Sequence, residues 1–254
     1  MRHGVESGWK YSLRLVAESL KLKARDMQPS KVLVAIPAYN EEKRIESVVR
    51  SCLATGSEVW VIDDGSMDLT AESAQKAGGV VIRHEKNMGK GKAIRTALDA
   101  FMRSEHEFLI FMDADGQHDP SFIPVFVQCA RHSSAGIVVG NRMHSTVNMP
   151  LVRRWTNQFM SWLISCLAGR RIPDTQCGYR LVSRAFVERF RPTTNRFELE
   201  SEMLIQAGKL GFAVESVPIS TVYAGEASHI HPFVDTLRFI CMVIRYLFRS
   251  SHAA

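Results

Sequence analysis

Asp113 and Asp115 stand two positions apart in the run Asp113-Ala114-Asp115-Gly116-Gln117-His118, directly after the apolar stretch from Phe108 to Met112. A carboxylate pair at that spacing beyond a buried strand can present two hard oxygen ligands to one divalent cation, and Gln117 can add a third. A cation so held can bridge a diphosphate. The same run also suits a plainer role, in which its acidic side chains satisfy turn amides or cap the helix that Pro120 opens. An EF-hand loop is excluded, because the acidic residues of its later positions are missing.

Two more polar clusters follow apolar runs. Pro37-Ala38-Tyr39-Asn40-Glu41 comes after Val32 to Ile36, and Asp63-Asp64-Gly65-Ser66 comes after Glu58 to Ile62. Asp64 is placed to contact a nucleotide, or the cluster is a turn with an N-cap for the next helix. Glu41 equally suits the first turn of a helix, and Tyr39 equally suits packing. Asn87-Met88-Gly89-Lys90-Gly91-Lys92 opens a helix with two glycines and two lysines. That is a weak phosphate-loop signal without Walker A spacing.

The elements that position these clusters alternate. The pattern predicts strands over 32–36 (halted by Pro37), 58–62, 79–83 and 108–112, and helices over about 41–53, 69–76 and 91–103. Such alternation implies βαβ crossovers and an α/β fold with a mostly parallel sheet flanked by helices. Ligands of such sheets bind beyond the carboxyl ends of the strands, so all three clusters meet in one crevice. The second half predicts a strand over 136–139, a helix over about 153–167, a loop from Asp174 to Arg180, and a helix over about 198–210. A strand over 214–222 and a last apolar helix over about 233–248 complete the chain.

With 254 residues, 46% hydrophobic and 23% charged, the chain has the composition of a folded protein, and disorder is excluded as its main state. A net charge of +6 suits phosphate-bearing partners. Between Arg142 and Arg196 there are ten arginines against Asp174 and Glu188 and no lysine; arginine grips phosphate with a planar fork. Five cysteines without a CxxC pair exclude a disulfide framework and a zinc site and fit a reducing cytosol. No stretch reaches the ~18–20 uninterrupted apolar residues of a membrane span. Residues 1–30 read as a basic amphipathic extension, 31–230 as one domain, and 231–254 as a C-terminal amphipathic helix. That last helix gathers Asp235, Arg238, Met242, Arg245 and Arg249 on a narrow face, as an interfacial helix would, or closes the domain or a dimer.

Together with Asn87-x-Gly89-Lys90-Gly91, Gly140-Asn141-Arg142 and Asp174-Thr175-Gln176-Cys177-Gly178-Tyr179-Arg180, the three clusters resemble family 2 glycosyltransferases over about residues 31–235. The resemblance is to the branch of dolichol-phosphate mannosyltransferases and other polyprenyl-phosphate glycosyltransferases. It implies a GT-A fold and transfer, with inversion, from a nucleoside diphosphate sugar (GDP-mannose or a UDP-sugar) to a polyprenyl or dolichyl phosphate. It further implies that Pro37, Tyr39, Glu41, Ile62 and Asp64 line the nucleoside site, with Asp113, Ala114 and Asp115 completing the donor contacts. By the same resemblance Asp113, Asp115 and Gln117 hold Mg²⁺ or Mn²⁺, Arg142 and Arg153 receive the acceptor phosphate, and Asp115, Arg142 and Arg153 form the catalytic set. Asn157 falls where relatives have a phosphate-holding Ser, and Ser228-His229 matches a loop that closes on the diphosphate.

A lipid phosphate is already largely ionised at neutral pH and needs no strong general base. A sugar hydroxyl would need one, and Asp174 or Glu200 could serve, unless Asp174 orders its loop and Glu200 belongs to a solvated helix face. Two alternatives stand beside lipid-phosphate transfer: transfer to a saccharide hydroxyl in cell-surface glycan synthesis, and binding of nucleotide-sugar without turnover. The expected setting is the cytoplasm at the membrane surface, with no nucleic-acid partner.

Overall fold

The computed structural model describes residues 31–143, 151–194, 196, 198–220 and 246, with side chains from residue 154 onward in the helix that opens at Leu151. The extension over 1–30, the Ser228-His229 loop and the expected last helix, Tyr246 excepted, lie outside the described residues.

Seven strands form one sheet in the order β3-β2-β1-β4-β6-β5-β7. They are β1 (Val32–Ala38), β2 (Glu58–Asp63), β3 (Val80–Arg83), β4 (Phe108–Phe111), β5 (Ile137–Asn141), β6 (Arg180–Ser183) and β7 (Val214–Pro218). The helices are α1 (Ile45–Leu53), α2 (Thr70–Lys76), α3 (Lys90–Met102), α4 (Ile123–Ser133), α5 (Leu151–Ala168), α6 (Arg184–Arg189) and α7 (Glu198–Lys209). β1 pairs in parallel with β2 and β4, β2 with β3, and β5 with β7. β6 runs antiparallel to both β4 and β5.

The apolar runs read as strands because both faces of this sheet are covered. Val32, Leu33, Val34, Ala35 and Ile36 of β1 are all buried, as are all four residues of β4. Pro37 does not halt β1, which continues to Ala38. The ladder with β4 ends at Ala35, so Pro37 meets only β2, opposite Ile62. The helix expected from residue 41 starts at Ile45, after a turn in which the Arg44 and Ile45 amides bond Glu41 O.

The strand Arg180–Ser183 and the helix Arg184–Arg189 were not expected. Arg180 lies fully buried in the sheet, donating through Nη1 to Glu200 O and through Nη2 to Cys177 O, both at 2.7 Å. β7 stops at Pro218, short of the expected 222. Pro120 opens a 3-10 turn that runs into α4, and Asp119 caps that turn by accepting from the Ser121 amide at 2.8 Å. Capping therefore falls to Asp119, and neither Asp113 nor Asp115 takes that role.

Candidate functional site

Because β1 lies between β2 and β4 and runs parallel to both, their carboxyl ends open on one edge of the sheet. The clusters after these strands are stitched to one another by short polar side chains. The Asn40 amide donates to Ser66 Oγ at 2.9 Å, the Met67 amide to Asn40 Oδ1 at 2.9 Å, and the Glu41 amide to Thr70 Oγ1 at 2.8 Å. Asn40 adopts a left-handed backbone with φ of 57°, which asparagine tolerates better than most residues.

Asp64, buried beside the crevice, gathers the next segment. Its Oδ1 accepts from the Met88 amide at 3.0 Å and lies 2.7 Å from His84 Nδ1, and its Oδ2 accepts from the Gly89 amide at 2.7 Å. That carboxylate therefore fixes the loop leading into α3, whose first residue, Lys90, reaches the acidic turn after β4. Lys90 Nζ lies 2.6 Å from Asp113 Oδ1 and 3.5 Å from Glu200 Oε1. Burial opposes both charges of the Lys90–Asp113 pair. Mutual attraction, with Glu200 and His118 adding to it, outweighs that penalty and leaves the lysine pKa raised and the aspartate pKa well below its ordinary value.

Gly178 packs directly on Asp113, where a Cβ would run into the carboxylate. His118 Nε2 approaches Asp113 Oδ2 at 3.6 Å, and the His118 ring lies against Tyr179 with centroids 5.1 Å apart. Asp115 Oδ1 accepts the Gln117 amide at 2.9 Å, which folds the turn back on itself. Asp113, Asp115 and Gln117 are all partly exposed in the crevice. Among the described residues no three His, Cys, Asp or Glu side chains come together as a metal site. Two carboxylates and an amide oxygen on one turn instead suit a Mg²⁺ or Mn²⁺ ion that fills its remaining positions with water and phosphate oxygens.

On the far side of β4, Arg142 and Asp174 form a buried fork. Arg142 Nε donates to Asp174 Oδ2 at 2.8 Å, Nη2 to Oδ1 at 3.1 Å, and its backbone amide to Oδ2 at 3.1 Å. The Gln176 amide adds a fourth bond to Asp174 Oδ1 at 3.1 Å. The inner face of α5 lies nearby, joined to the same loop where the Thr175 amide donates to Ser161 Oγ at 3.0 Å. One turn earlier on that face is Asn157, buried, whose Nδ2 finds no hydrogen-bond partner among the described residues. The Arg153 backbone belongs to the first turn of α5, while its side chain lies outside the described residues.

Of the remaining expected donor contacts, Tyr39 is exposed at the mouth of the crevice and Glu41 and Pro37 are half-buried. Ile62 and Ala114 are enclosed in the core. The spacing of the sequence did not single out Lys90 as the partner of Asp113 or Gly178 as its packing floor. The two-glycine, two-lysine run and the small residue in Cys177-Gly178-Tyr179 were the signals present.

Residues 33–191 match the family model described as Glycosyl transferase family 2. Over 217 residues the chain is 32% identical to a UDP-N-acetylglucosamine–dolichyl-phosphate N-acetylglucosaminyltransferase of Methanococcus voltae, covering 76% of this chain and 86% of that protein. It is 26% identical to a dolichyl-phosphate beta-glucosyltransferase of Dictyostelium discoideum, covering 85% of this chain and 73% of the relative. Among solved structures, glucosyl-3-phosphoglycerate synthase of Mycobacterium tuberculosis, crystallised with Mn²⁺, uridine diphosphate and phosphoglyceric acid, superposes with a TM-score of 0.65 at 21% identity. The match covers 92% of this chain and 81% of that one, and the likeness is one of fold.

Proposed function

The chain belongs to glycosyl transferase family 2, and on that premise we propose that it moves a hexose from a UDP-sugar to a polyprenyl phosphate with inversion at the anomeric carbon. The relatives whose names print a dolichyl-phosphate acceptor support the lipid acceptor, and the one that prints UDP-N-acetylglucosamine supports a uridine donor. The mannosyl version has no counterpart in either name. Residues 31–230 act as the transferase domain, working at the cytoplasmic face of a membrane. Among the described residues no helix is long and apolar enough to cross one.

The observation that carries the lipid-phosphate reading is the state of the two carboxylates that could have served as a base. Asp174 accepts three bonds from Arg142 and one from Gln176. Glu200 faces Lys90 and Arg180. Both carboxylates are thus engaged in holding cationic side chains in place, an arrangement that favours an acceptor needing no base. A phosphate acceptor needs none: its ionised oxygen attacks the anomeric carbon, the bond from that carbon to the donor β-phosphate breaks, and the nucleoside diphosphate departs with the electron pair.

In this reading Asp113, Asp115 and Gln117 hold Mg²⁺ or Mn²⁺, which, when bound, offsets the charge gathering on the departing diphosphate. Lys90 adds a fixed positive charge at the same turn. Asp64 sets the loop that carries Lys90, and Tyr39 and Glu41 line the nucleoside side of the crevice. Arg142, held in place by Asp174, and Arg153 receive the acceptor phosphate, and the buried Asn157 amide supplies a ready donor to it. Fixed charges placed before reaction avoid reorganisation when charge develops. The test is to compare a polyprenyl phosphate with the corresponding polyprenol. Transfer to the phosphate alone is expected, and comparable transfer to the alcohol would contradict the reading.

A further inference from the structure

Lys90 stands between two carboxylates that reach it from different parts of the fold. Its ammonium is 2.6 Å from Asp113 Oδ1 on the turn after β4 and 3.5 Å from Glu200 Oε1 on α7. A helix does not favour this placement. Lys90 is the first residue of α3, where the helix dipole opposes a cation, and the first turn of α3 holds no acidic residue to offset it. The two carboxylates offset it from outside the helix. The oxygen that Lys90 takes is also one that a divalent cation on this turn would need. Asp113 Oδ2 is turned inward, toward His118 Nε2 at 3.6 Å and toward Gly178, which packs so closely that a Cβ would run into the carboxylate. Asp115 Oδ1 accepts the Gln117 amide. Among the described residues, Asp113 Oδ1 and Asp115 Oδ2 are therefore the carboxylate oxygens left for Mg²⁺ or Mn²⁺, and the first of them carries the ammonium.

We propose that Lys90 competes with the divalent cation for Asp113 and yields that oxygen as the nucleoside diphosphate arrives. The ammonium then passes to Glu200 and to the phosphates, while the cation takes Asp113. A cation alone must displace the ammonium with nothing new to receive it beyond Glu200, so it binds weakly. With the diphosphate present, both positive charges meet phosphate oxygens and the two ligands bind together better than either does alone. Such coupling is reciprocal: whatever the nucleotide adds to the affinity for the cation, the cation adds to the affinity for the nucleotide. The proposal rests on the reading of Asp113, Asp115 and Gln117 as holders of the cation.

Binding of Mn²⁺ to the full chain, read from the loss of its free electron paramagnetic resonance signal with and without UDP, tests the exchange. In the unaltered chain UDP should tighten Mn²⁺ binding about tenfold or more. Lys90→Met should bind Mn²⁺ without UDP about tenfold more tightly than the unaltered chain, because one charge-assisted hydrogen bond no longer has to be broken. UDP should then add less. Loss of a positive charge would also draw the cation in through the field alone, and Glu200 separates the two causes. Glu200→Gln should weaken Mn²⁺ binding several-fold in the unaltered chain, by denying the ammonium its second partner. In the Lys90→Met background the same change should matter less than about twofold. An equal effect of Glu200→Gln in both backgrounds would overturn the proposal. So would Lys90→Met binding Mn²⁺ no more tightly, or, with no variant needed, an Mn²⁺ affinity of the unaltered chain that UDP does not move. An unaltered chain that binds no Mn²⁺ even with UDP present would instead overturn the metal assignment itself.

Discussion

Lys90 Nζ lies 2.6 Å from Asp113 Oδ1, tying the first residue of α3 to the acidic turn after β4. Lys90 opens the helix and Asp113 follows the second strand of one β3-α3-β4 crossover, and Asp64 steadies the tie, its carboxylate holding the loop before Lys90 through the Met88 and Gly89 amides. A positive charge is thereby built into the floor of the crevice. It pairs with one oxygen of the acidic turn, and in the proposed reading it also meets the phosphates of a donor.

Replacing that charge tests its use. Lys90→Met should lower kcat/KM for the donor by about 10²-fold or more, the size of effect seen when one fixed electrostatic contact to developing charge is removed. Circular dichroism checks that the fold persists. An unchanged kcat/KM would show that the pair serves folding alone.

Among the described residues Asp115 bonds only the Gln117 amide of its own turn, so Asp115→Ala should leave the thermal midpoint nearly unchanged. Transfer should nevertheless fall below about 10⁻³ of the unaltered rate as cation-assisted departure of the diphosphate is lost. Full activity of this variant in the presence of a chelator would remove the metal assignment.

Asp174→Ala should act on stability. It leaves the Arg142 guanidinium buried without its carboxylate, a loss of about 3–5 kcal/mol for a broken buried pair. Urea unfolding measures it, and a loss well under about 1 kcal/mol would mean that water reaches Arg142 readily.

Glu202 gives a pH prediction. Burial raises the pKa of this carboxyl, but hydrogen bonds from the Thr193 and Thr194 hydroxyls and amides outweigh it and hold the value below the usual one. A carboxyl depressed on folding contributes stability that is complete above its unfolded pKa of about 4.3 and is lost as pH falls through the lower folded value. The urea midpoint should therefore drop as pH falls below about 4.3. Glu202→Gln should show a shallower drop over the same range, and an equal slope would locate the acid sensitivity elsewhere.

Much of the first half was legible because strong apolar runs separated by Gly, Pro and Asp admit few readings. The three clusters meet at one sheet edge, as expected. β6 was missed for physical reasons. Its ladder holds only Leu181 and Val182 as apolar residues, between a buried Arg180 and Ser183, and an arginine reads as exposed unless its carbonyl partners, Glu200 and Cys177, are known. The Lys90–Asp113 pair and the Arg142–Asp174 fork join positions far apart in the chain, so no local period could report them. The sequence offers Asp64 as a nucleotide contact or part of a capping turn, and its grip on the loop before Lys90 follows only from the fold. Arg153 keeps its sequence-based role as a proposal, and His229 lies outside the described residues.

The central claim is transfer to a lipid phosphate. The most direct measurement incubates the protein with Mn²⁺ or Mg²⁺, a short polyprenyl phosphate and radiolabelled UDP-glucose, UDP-N-acetylglucosamine or GDP-mannose, and follows label into the organic phase. The account predicts metal-dependent label from one uridine donor. Measurable donor binding with no label from any donor would contradict it.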